Sequence, residues 1–334
     1  MSQNQRKGVL VAPHDRLTDE QVKLIDGMSR DLLEDPGLLC YSPDAAEIFR
    51  SAGAKIEDAK KCVRVRLSSS MVDRALASAP STVVLGARNP DNRLVLDAHE
   101  PRVRFGSGAE SNVWLEVAFN GKGPQFARRA GTVRRLADSA HLAENLEHLD
   151  FFIRNVNIQD DQVTEANKDV NKLLASLNNT TKHVQAGLTS LEALDDVVRM
   201  GQILAGGQAA FEQNPVFSFI TCVIKSPFQL VRDTTATMIE ISKRRIPVVV
   251  SGCPMGGTTA LFDELGMVAQ INAELLAGIV LNQLVAPGAP VLYGASPIRT
   301  RLDNLNDMYG AAEAVNYCVD CAQLARLYGL PCYT

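Results

Sequence analysis

Short apolar runs recur seven times from residue 101 onward, and most are followed by a helical pattern. They are Val103–Phe105, Asp150–Ile153, Lys182–Ala186, Val216–Ile220, Ile246–Val250, Pro290–Tyr293 and Leu330–Tyr333. Few alternate in polarity, as expected of strands buried on both faces. Amphipathic stretches at 131–146, 190–205, 228–244, 261–285 and 311–328 separate most of them. Strands alternating with helices pair in parallel through right-handed crossovers. A barrel built this way closes with eight strands. The seventh run lies in Leu330-Pro331-Cys332-Tyr333-Thr334, where the sequence stops. The reading is therefore α/β: a TIM (β/α)8-type barrel over 101–334, incomplete and lacking strand eight. The competitor is an open doubly wound sheet. Its dinucleotide form needs a G-x-G-x-x-G turn between a strand and a helix. Gly106-Ser107-Gly108-Ala109-Glu110 comes near, but a hairpin-like stretch follows it.

Residues 1–100 read differently, as a small N-terminal α+β cap. Thr18-Asp19-Glu20-Gln21 is a capping box, continued at helical spacing by Val22, Ile25, Met28 and Leu32. Asp35-Pro36-Gly37 stops that helix, and Ser42-Pro43-Asp44 opens another that ends at Gly53. Val63–Leu67 alternates like a half-buried strand, and Ser68-Ser69-Ser70 caps a third helix. Val83–Leu85 and Leu94–Leu96 flank the turn Asn89-Pro90-Asp91-Asn92, which reads as a hairpin.

A formal net charge of −4 argues against a nucleic-acid partner held through phosphates. The basic clusters Arg128-Arg129, Arg134-Arg135 and Lys243-Arg244-Arg245 read as solvated faces. The start, Ser2 to Lys7, is polar, and no apolar segment reads as a signal peptide or membrane span. The apolar stretch 275–286 is interrupted by Asn282 and Gln283 and reads as a core helix. Seven scattered cysteines point to reduced thiols and a cytoplasmic protein. Cys318-x-x-Cys321 falls inside a helical pattern with no second pair. Core packing is preferred there to a metal or redox role.

In a barrel, chemistry sits on the loops that follow the strands. Those loops hold Glu110, Arg154-Asn155, Gln185-Ala186-Gly187, Cys222 to Pro227, Ser251 to Thr259, and Tyr293-Gly294-Ala295-Ser296. The Gly256-Gly257-Thr258-Thr259 turn precedes a helix; it is either an anion-holding loop or a tight connection. Asn272, Glu274 and Gln283 are polar positions on an apolar helix. Glu274 is either a functional carboxylate of raised pKa or a satisfied structural group. His183 reads first as a hydrogen-bonded core histidine. Phe105, Phe219, Tyr293 and Tyr333 read mostly as core. Tyr293 and Tyr333, at strand exits, are also candidates for an aromatic cage around a cation.

Several of these segments resemble one known family. Gly256-Gly257-Thr258-Thr259-Ala260, Asn272 through Leu284, Pro287-Gly288-Ala289-Pro290 and Tyr293-Gly294-Ala295-Ser296 are similar to the trimethylamine–corrinoid methyltransferases. So are Cys222 with Ser226-Pro227, Tyr328-Gly329-Leu330-Pro331 and the early Glu34-Asp35-Pro36-Gly37. The resemblance runs from about residue 18 to the end. It implies a barrel enzyme that moves a methyl group from trimethylamine, or a betaine-type quaternary amine, to Co(I). The corrinoid (cobalamin) is carried by a separate corrinoid protein, and no cofactor is held tightly by the chain itself. A methylammonium nitrogen has no free lone pair. It leaves as a neutral amine when a strong nucleophile attacks the methyl carbon.

The resemblance places the site on the loops after strands. Glu110, Glu274 and Gln283 are the catalytic candidates, with Glu110 facing the cation. Tyr293, Ser296, Gly256, Gly257, Thr258 and Tyr333 are the substrate-binding candidates. No metal ligand is expected in the chain, and a homo-oligomer is expected at full length. Some family members carry pyrrolysine, read through an amber codon, on the loop after strand seven. This sequence stops at almost that point, so an amber codon read as stop and a disrupted or partial gene are the two expectations. On either, the chain as it stands lacks strand eight and is expected to be inactive. A non-catalytic remnant that binds a quaternary amine or a corrinoid protein is the alternative. A barrel lyase using Lys182 or Lys225 is a weaker one.

Overall fold

The computed structural model describes residues 5–334. Ser2 to Asn4 of the polar start lie outside them. The helices are α1 Asp19–Glu34, α2 Pro43–Ser51, α3 Ser69–Ser78, α4 Val133–Asn145, α5 Glu165–Asn179, α6 Leu194–Ala205, α7 Gln208–Gln213, α8 Arg232–Lys243, α9 Glu264–Val285 and α10 Ala312–Leu327. The parallel strands are β1 Phe151–Ile153, β2 His183–Ala186, β3 Phe217–Thr221, β4 Val248–Gly252, β5 Val291–Ala295 and β6 Cys332–Tyr333. The class is mixed α/β.

Local chemistry accounts for the boundaries. Thr18 and Gln21 exchange side-chain-to-backbone bonds across the first turn of α1, so the capping box is formed at both ends. Ser42 caps α2 with Pro43 at its first position. Thr132 caps α4, and Asp263 Oδ2 accepts from Gly266 N at 2.9 Å to open α9.

The chain divides into two compact units. One comprises residues 1–11, 84–95 and 102–219; the other comprises 12–83, 96–101 and 220–334. Residues 1–100 are thus shared between them, with 12–83 grouped with the C-terminal part.

In the first unit β1, β2 and β3 run parallel in chain order. Phe151 pairs with His183, Ile153 with Gln185, and Gln185 with Ser218. Phe217 and Phe219 pack edge to face at 5.4 Å. Phe217 also meets Phe211 of α7 at 5.2 Å and lies close against Gly201 of α6. That side of the strands is covered by helices. His183, Gln185 and Ser218 point to the other side.

The run read as the first barrel strand is antiparallel at its start, where Arg102–Val103 pairs with Val9–Leu10, and parallel bridges follow it, from Gly106 to Phe151 and from Ser111 to Val156. A Cβ on Gly106 would lie 2.4 Å from the Phe151 ring, so glycine is required there. Beyond it, Val113–Asn120 and Gly123–Ala130 form a long exposed hairpin.

In the second unit β4 pairs with β5 from Val248↔Val291 to Gly252↔Ala295, and β5 pairs with β6 through Gly294↔Tyr333. α9 lies behind them, with Gly278 tight against Val250. It is 22 residues long and apolar enough by length to cross a membrane, which the sequence reading of 275–286 did not anticipate. Helices α1, α2, α3, α8 and α10 surround it, and 89% of its apolar window is buried, as in a core helix. An antiparallel sheet of Leu38–Cys40, Lys55–Ala59 and Cys62–Arg66 completes this unit, joined by Ile224–Lys225 and Gln229–Leu230.

Candidate functional site

Side-chain direction alternates along the strands of the second unit. Val250 and Tyr293 face α9, whereas Ser251, Gly294 and Tyr333 share the opposite face. Just past the strand ends on that face lie Cys222 and Cys253, both reached by solvent. Burial pushes the Cys222 thiol up, and a hydrogen bond with the Ser251 side chain opposes this. Burial pushes the Cys253 thiol up to about 11, with Cys222 and Asp307 close enough to add to the effect. The Tyr333 phenol is raised by burial and by Cys222; the Tyr309 phenol is raised by burial, Cys253 and Asp307. Cys222 thus neighbours Tyr333, and Cys253 neighbours Cys222, Tyr309 and Asp307: two thiols, two phenols and one carboxylate past the strand ends. The thiols and phenols are neutral at pH 7, so Asp307 brings the only charge among the five. Such a set suits a cation with methyl groups.

The rim is built from loop strands. Met255–Gly256 pairs parallel with Ile298–Arg299, and Ile298–Thr300 pairs antiparallel with Asp307–Met308. This small sheet brings Asp307 and Tyr309 beside Cys253. Ser296 N donates to Gly252 O at 3.0 Å, fixing the exit of β5 to that of β4.

The Gly256–Thr259 turn does not offer free amides. The N–H groups of Thr258, Thr259 and Ala260 all point to Met255 O at 3.0 Å, and Gly257 N donates to Ala260 O. Met255 N is taken by Thr259 Oγ1. α9 starts only at Glu264, with its own Asp263 cap. Of the two readings of the Gly256-Gly257-Thr258-Thr259 turn, this geometry is that of the tight connection. Gly257 has φ +101, where a side chain is strained, and a Cβ there would also press on Leu302 and Phe262.

Glu274 is 1% exposed. It accepts from Ser226 Oγ at 2.6 Å, Phe228 N at 3.1 Å and Gln270 Nε2 at 3.1 Å. Burial raises its pKa, and these three donors oppose the rise. It clamps the loop after β3 onto α9. Gln283 lies about 13 Å further along that helix, by the α-helical rise. It bonds Ser78 Oγ, Gly288 N, Asn282 Oδ1 and Ala289 O. That places it where α9 turns into the start of β5, away from the strand exits. Tyr293 is fully buried, and its hydroxyl donates to Asn272 Oδ1 at 2.9 Å. Asn272 Nδ2 donates to Tyr328 OH, which in turn donates to Asp26. Of the substrate-binding candidates, Tyr333 and Ser296 lie at or just past strand ends, and Tyr293 is buried against α9.

Glu110 belongs to the first unit. It meets Lys172 Nζ through Oε1 and Arg154 Nη2 through Oε2, the latter at 3.5 Å. Arg154 also donates to Gly187 O at 2.7 Å. Asp169 Oδ2 accepts from Thr189 N and Ser190 N. His183 is fully buried between Gly86 O, 2.7 Å from Nδ1, and Ser218 Oγ, 2.8 Å from Nε2. Burial pushes its pKa down to about 4. It is a neutral, satisfied core histidine.

Sequence reasoning missed Asp307, Tyr309 and the pair Asp169 and Lys172. The first two ride on a loop strand two residues long. The other two were visible only as an i, i+3 pair of charges in a segment with no clear apolar stripe.

Parallel strands with helices behind them, and polar side chains past the strand ends, define an α/β chain of the kind that binds ligands at its strand exits. The comparisons narrow this. The chain belongs to the trimethylamine methyltransferase family, whose model matches residues 3–334. It is 32% identical over 315 residues to the trimethylamine methyltransferase MttB of Desulfitobacterium hafniense, covering 94% of this chain and 61% of that protein. It is 27% identical over 325 residues to a glycine betaine methyltransferase of the same species, covering 97% and 64%. To the trimethylamine methyltransferase MttB of Methanosarcina barkeri it is 29% identical over 322 residues, covering 95% and 62%. The chain therefore spans less than two thirds of the length of these relatives.

Proposed function

We propose that this chain is the substrate-binding part of a methyltransferase with a TIM-type barrel, acting on trimethylamine or a betaine-type amine. The methyl acceptor is the Co(I) corrinoid of a separate protein, which supplies the nucleophile when it is presented at the strand exits. Seven free cysteines fit a reducing cytoplasm.

The observation that carries the reading is the chain of neighbours Tyr333–Cys222–Cys253 with Tyr309 and Asp307 past the strand ends, in a chain of this family. The phenol rings offer their faces to a methylammonium cation, and Asp307 supplies the opposite charge. Cys222 and Cys253 remain thiols near pH 7 because burial raises them, so they stand among these groups without adding a second negative charge. The donor set of thiols, phenols and one carboxylate contains no imidazole. It fits an organic cation, and a corrinoid enters as the partner's cargo. In the reaction the C–N bond breaks with its electron pair left on nitrogen. The departing amine is neutral, and the methyl carbon passes to the acceptor. The chain's task is to hold the cation and aim its methyl group outward.

Calorimetric titration with trimethylamine and glycine betaine, run beside a methyl-transfer assay containing the corrinoid protein, tests the reading. Saturable binding of one amine is expected from this substrate-binding part; transfer in addition would extend the reading to the whole reaction, and no binding of either amine overturns it.

A further inference from the structure

Glu110 lies between the Gly106 bridge and the hairpin that starts at Val113, and 31% of its side chain is exposed. Beneath it the cluster is closed to solvent. The side chains of Lys172 and Arg154 are each 2% exposed, and both cations converge on this one carboxylate. Asp169, 1% exposed, sits 3.6 Å from Arg154 and balances a single positive charge. The sum is two buried cations, one buried anion and one anion at the surface. Without Glu110 the buried groups carry an excess positive charge, which burial penalises heavily.

Glu110 fits this place imperfectly. Guanidinium and carboxylate groups prefer two parallel short bonds, yet Glu110 reaches Arg154 by one contact of 3.5 Å. Arg154 Nε, Asp169 Oδ1 and Gln185 Oε1 are buried without a hydrogen-bond partner. Residues Arg154, Asp169 and Gln185 are 3%, 1% and 1% exposed. Buried polar atoms left unpaired in this way are uncommon and call for an occupant or a water. The location is also that of a ligand site: Arg154 directly follows β1, and Gln185 is near the end of β2, so the cluster lies at the C-terminal ends of parallel strands.

We propose that Arg154 and Lys172 form a carboxylate-binding subsite whose resident occupant, the side chain of Glu110, is exchanged for the carboxylate of a small ligand. The exchange needs only a swing of one flexible, partly exposed side chain. It replaces one carboxylate by another, so the charge of the cluster is unchanged. A free carboxylate is also not tethered to the 106–112 segment and can pair with Arg154 through two bonds. The ligand class is a small carboxylate, and the subsite, lying wholly within the first unit, stands independently of the proposed function.

The test is a thermal-unfolding titration of Glu110→Ala with sodium formate, against sodium chloride at equal ionic strength. Formate is expected to raise the midpoint saturably, and the unsubstituted chain to need ~10-fold more formate, because Glu110 competes. Adding Lys172→Met to Glu110→Ala is expected to abolish the response. Equal shifts in formate and chloride would show a closed ion-pair network and overturn the subsite. Should Glu110→Ala not fold, Glu110→Gln carries the same comparison. Glycine betaine is titrated in parallel with tetramethylammonium, which lacks the carboxylate. A formate response without a glycine betaine response supports the subsite and limits its ligands to carboxylates without a quaternary ammonium.

Discussion

Tyr293 and Tyr333 stand on adjacent parallel strands one row apart and face opposite sides of the sheet. The register sets Gly294 beside Tyr333, so Tyr293 turns toward α9, where its hydroxyl bonds Asn272. The two rings cannot close on one cation. Each therefore has its own expected phenotype. Tyr293→Phe leaves the buried Asn272 oxygen short of a donor and costs about 1–3 kcal/mol of stability, with amine affinity unchanged. Tyr333→Ala weakens amine binding instead. Urea denaturation and calorimetry on both variants separate the two roles.

Asp307→Asn and Tyr309→Ala alter groups at an open rim, and Tyr309 is 73% exposed. Each is expected to weaken amine binding about tenfold, in line with loss of a cation–π or charge contact of 1–2 kcal/mol. Melting temperature should stay within the range of ordinary surface substitutions. A drop in stability without loss of affinity would assign these residues to the rim sheet alone.

His183 gives a pH dependence with a definite sign. Its folded pKa is lowered to about 4 from the model-peptide value of 6.5. The neutral form is the folded form, so its contribution is fully present above pH 6.5 and is lost as pH falls toward 4. Between pH 7 and pH 5 the loss is about 2 kcal/mol by linkage. Glu274 acts in the opposite direction. Its pKa is raised, so its contribution is present below the unfolded value of 4.5 and declines as pH rises through the folded one. Urea midpoints of His183→Asn and Glu274→Gln across this range should each flatten one slope. A His183→Asn profile parallel to that of the unsubstituted chain would contradict the first assignment.

Gly106→Ala and Gly294→Ala both place a Cβ 2.4 Å from a neighbour, the Phe151 ring in one case and Val249 Cγ1 in the other. Gly294→Ala also meets Val250 O at 2.6 Å, and backbone yields less readily than a ring. Both are expected to destabilise by about 1–3 kcal/mol, with Gly294→Ala the worse. Combining Gly106→Ala with Phe151→Leu should recover part of the first loss.

Much of the framework was legible because local signals agreed with packing. The Thr18–Gln21 and Ser42 caps, the apolar character of α9 and the buried runs that became β1 to β5 all read directly from side-chain pattern. α5 was not legible, because its core side carries Asp169, Lys172 and Ser176, which break an apolar stripe. The first strand was overread at its start because Arg102–Val103 found an antiparallel partner far away in sequence, at Val9–Leu10. Tyr333 was read at a strand exit, and it does lie on β6. Asp307 and Tyr309 were not read, since a two-residue rim strand has no periodicity to detect. The Gly-Gly-Thr-Thr turn left an anion cradle and a tight connection both open in the sequence, because the direction of its amides is set by folding; Met255 O takes three of them.

The most direct measurement is amine affinity by calorimetry across Tyr333→Ala, Asp307→Asn and Gln283→Ala. Tyr333→Ala and Asp307→Asn are expected to lose about tenfold in affinity for trimethylamine or glycine betaine, while Gln283→Ala binds as tightly as the unsubstituted chain. Loss of binding on Gln283→Ala with unchanged binding on the other two would contradict the proposed site.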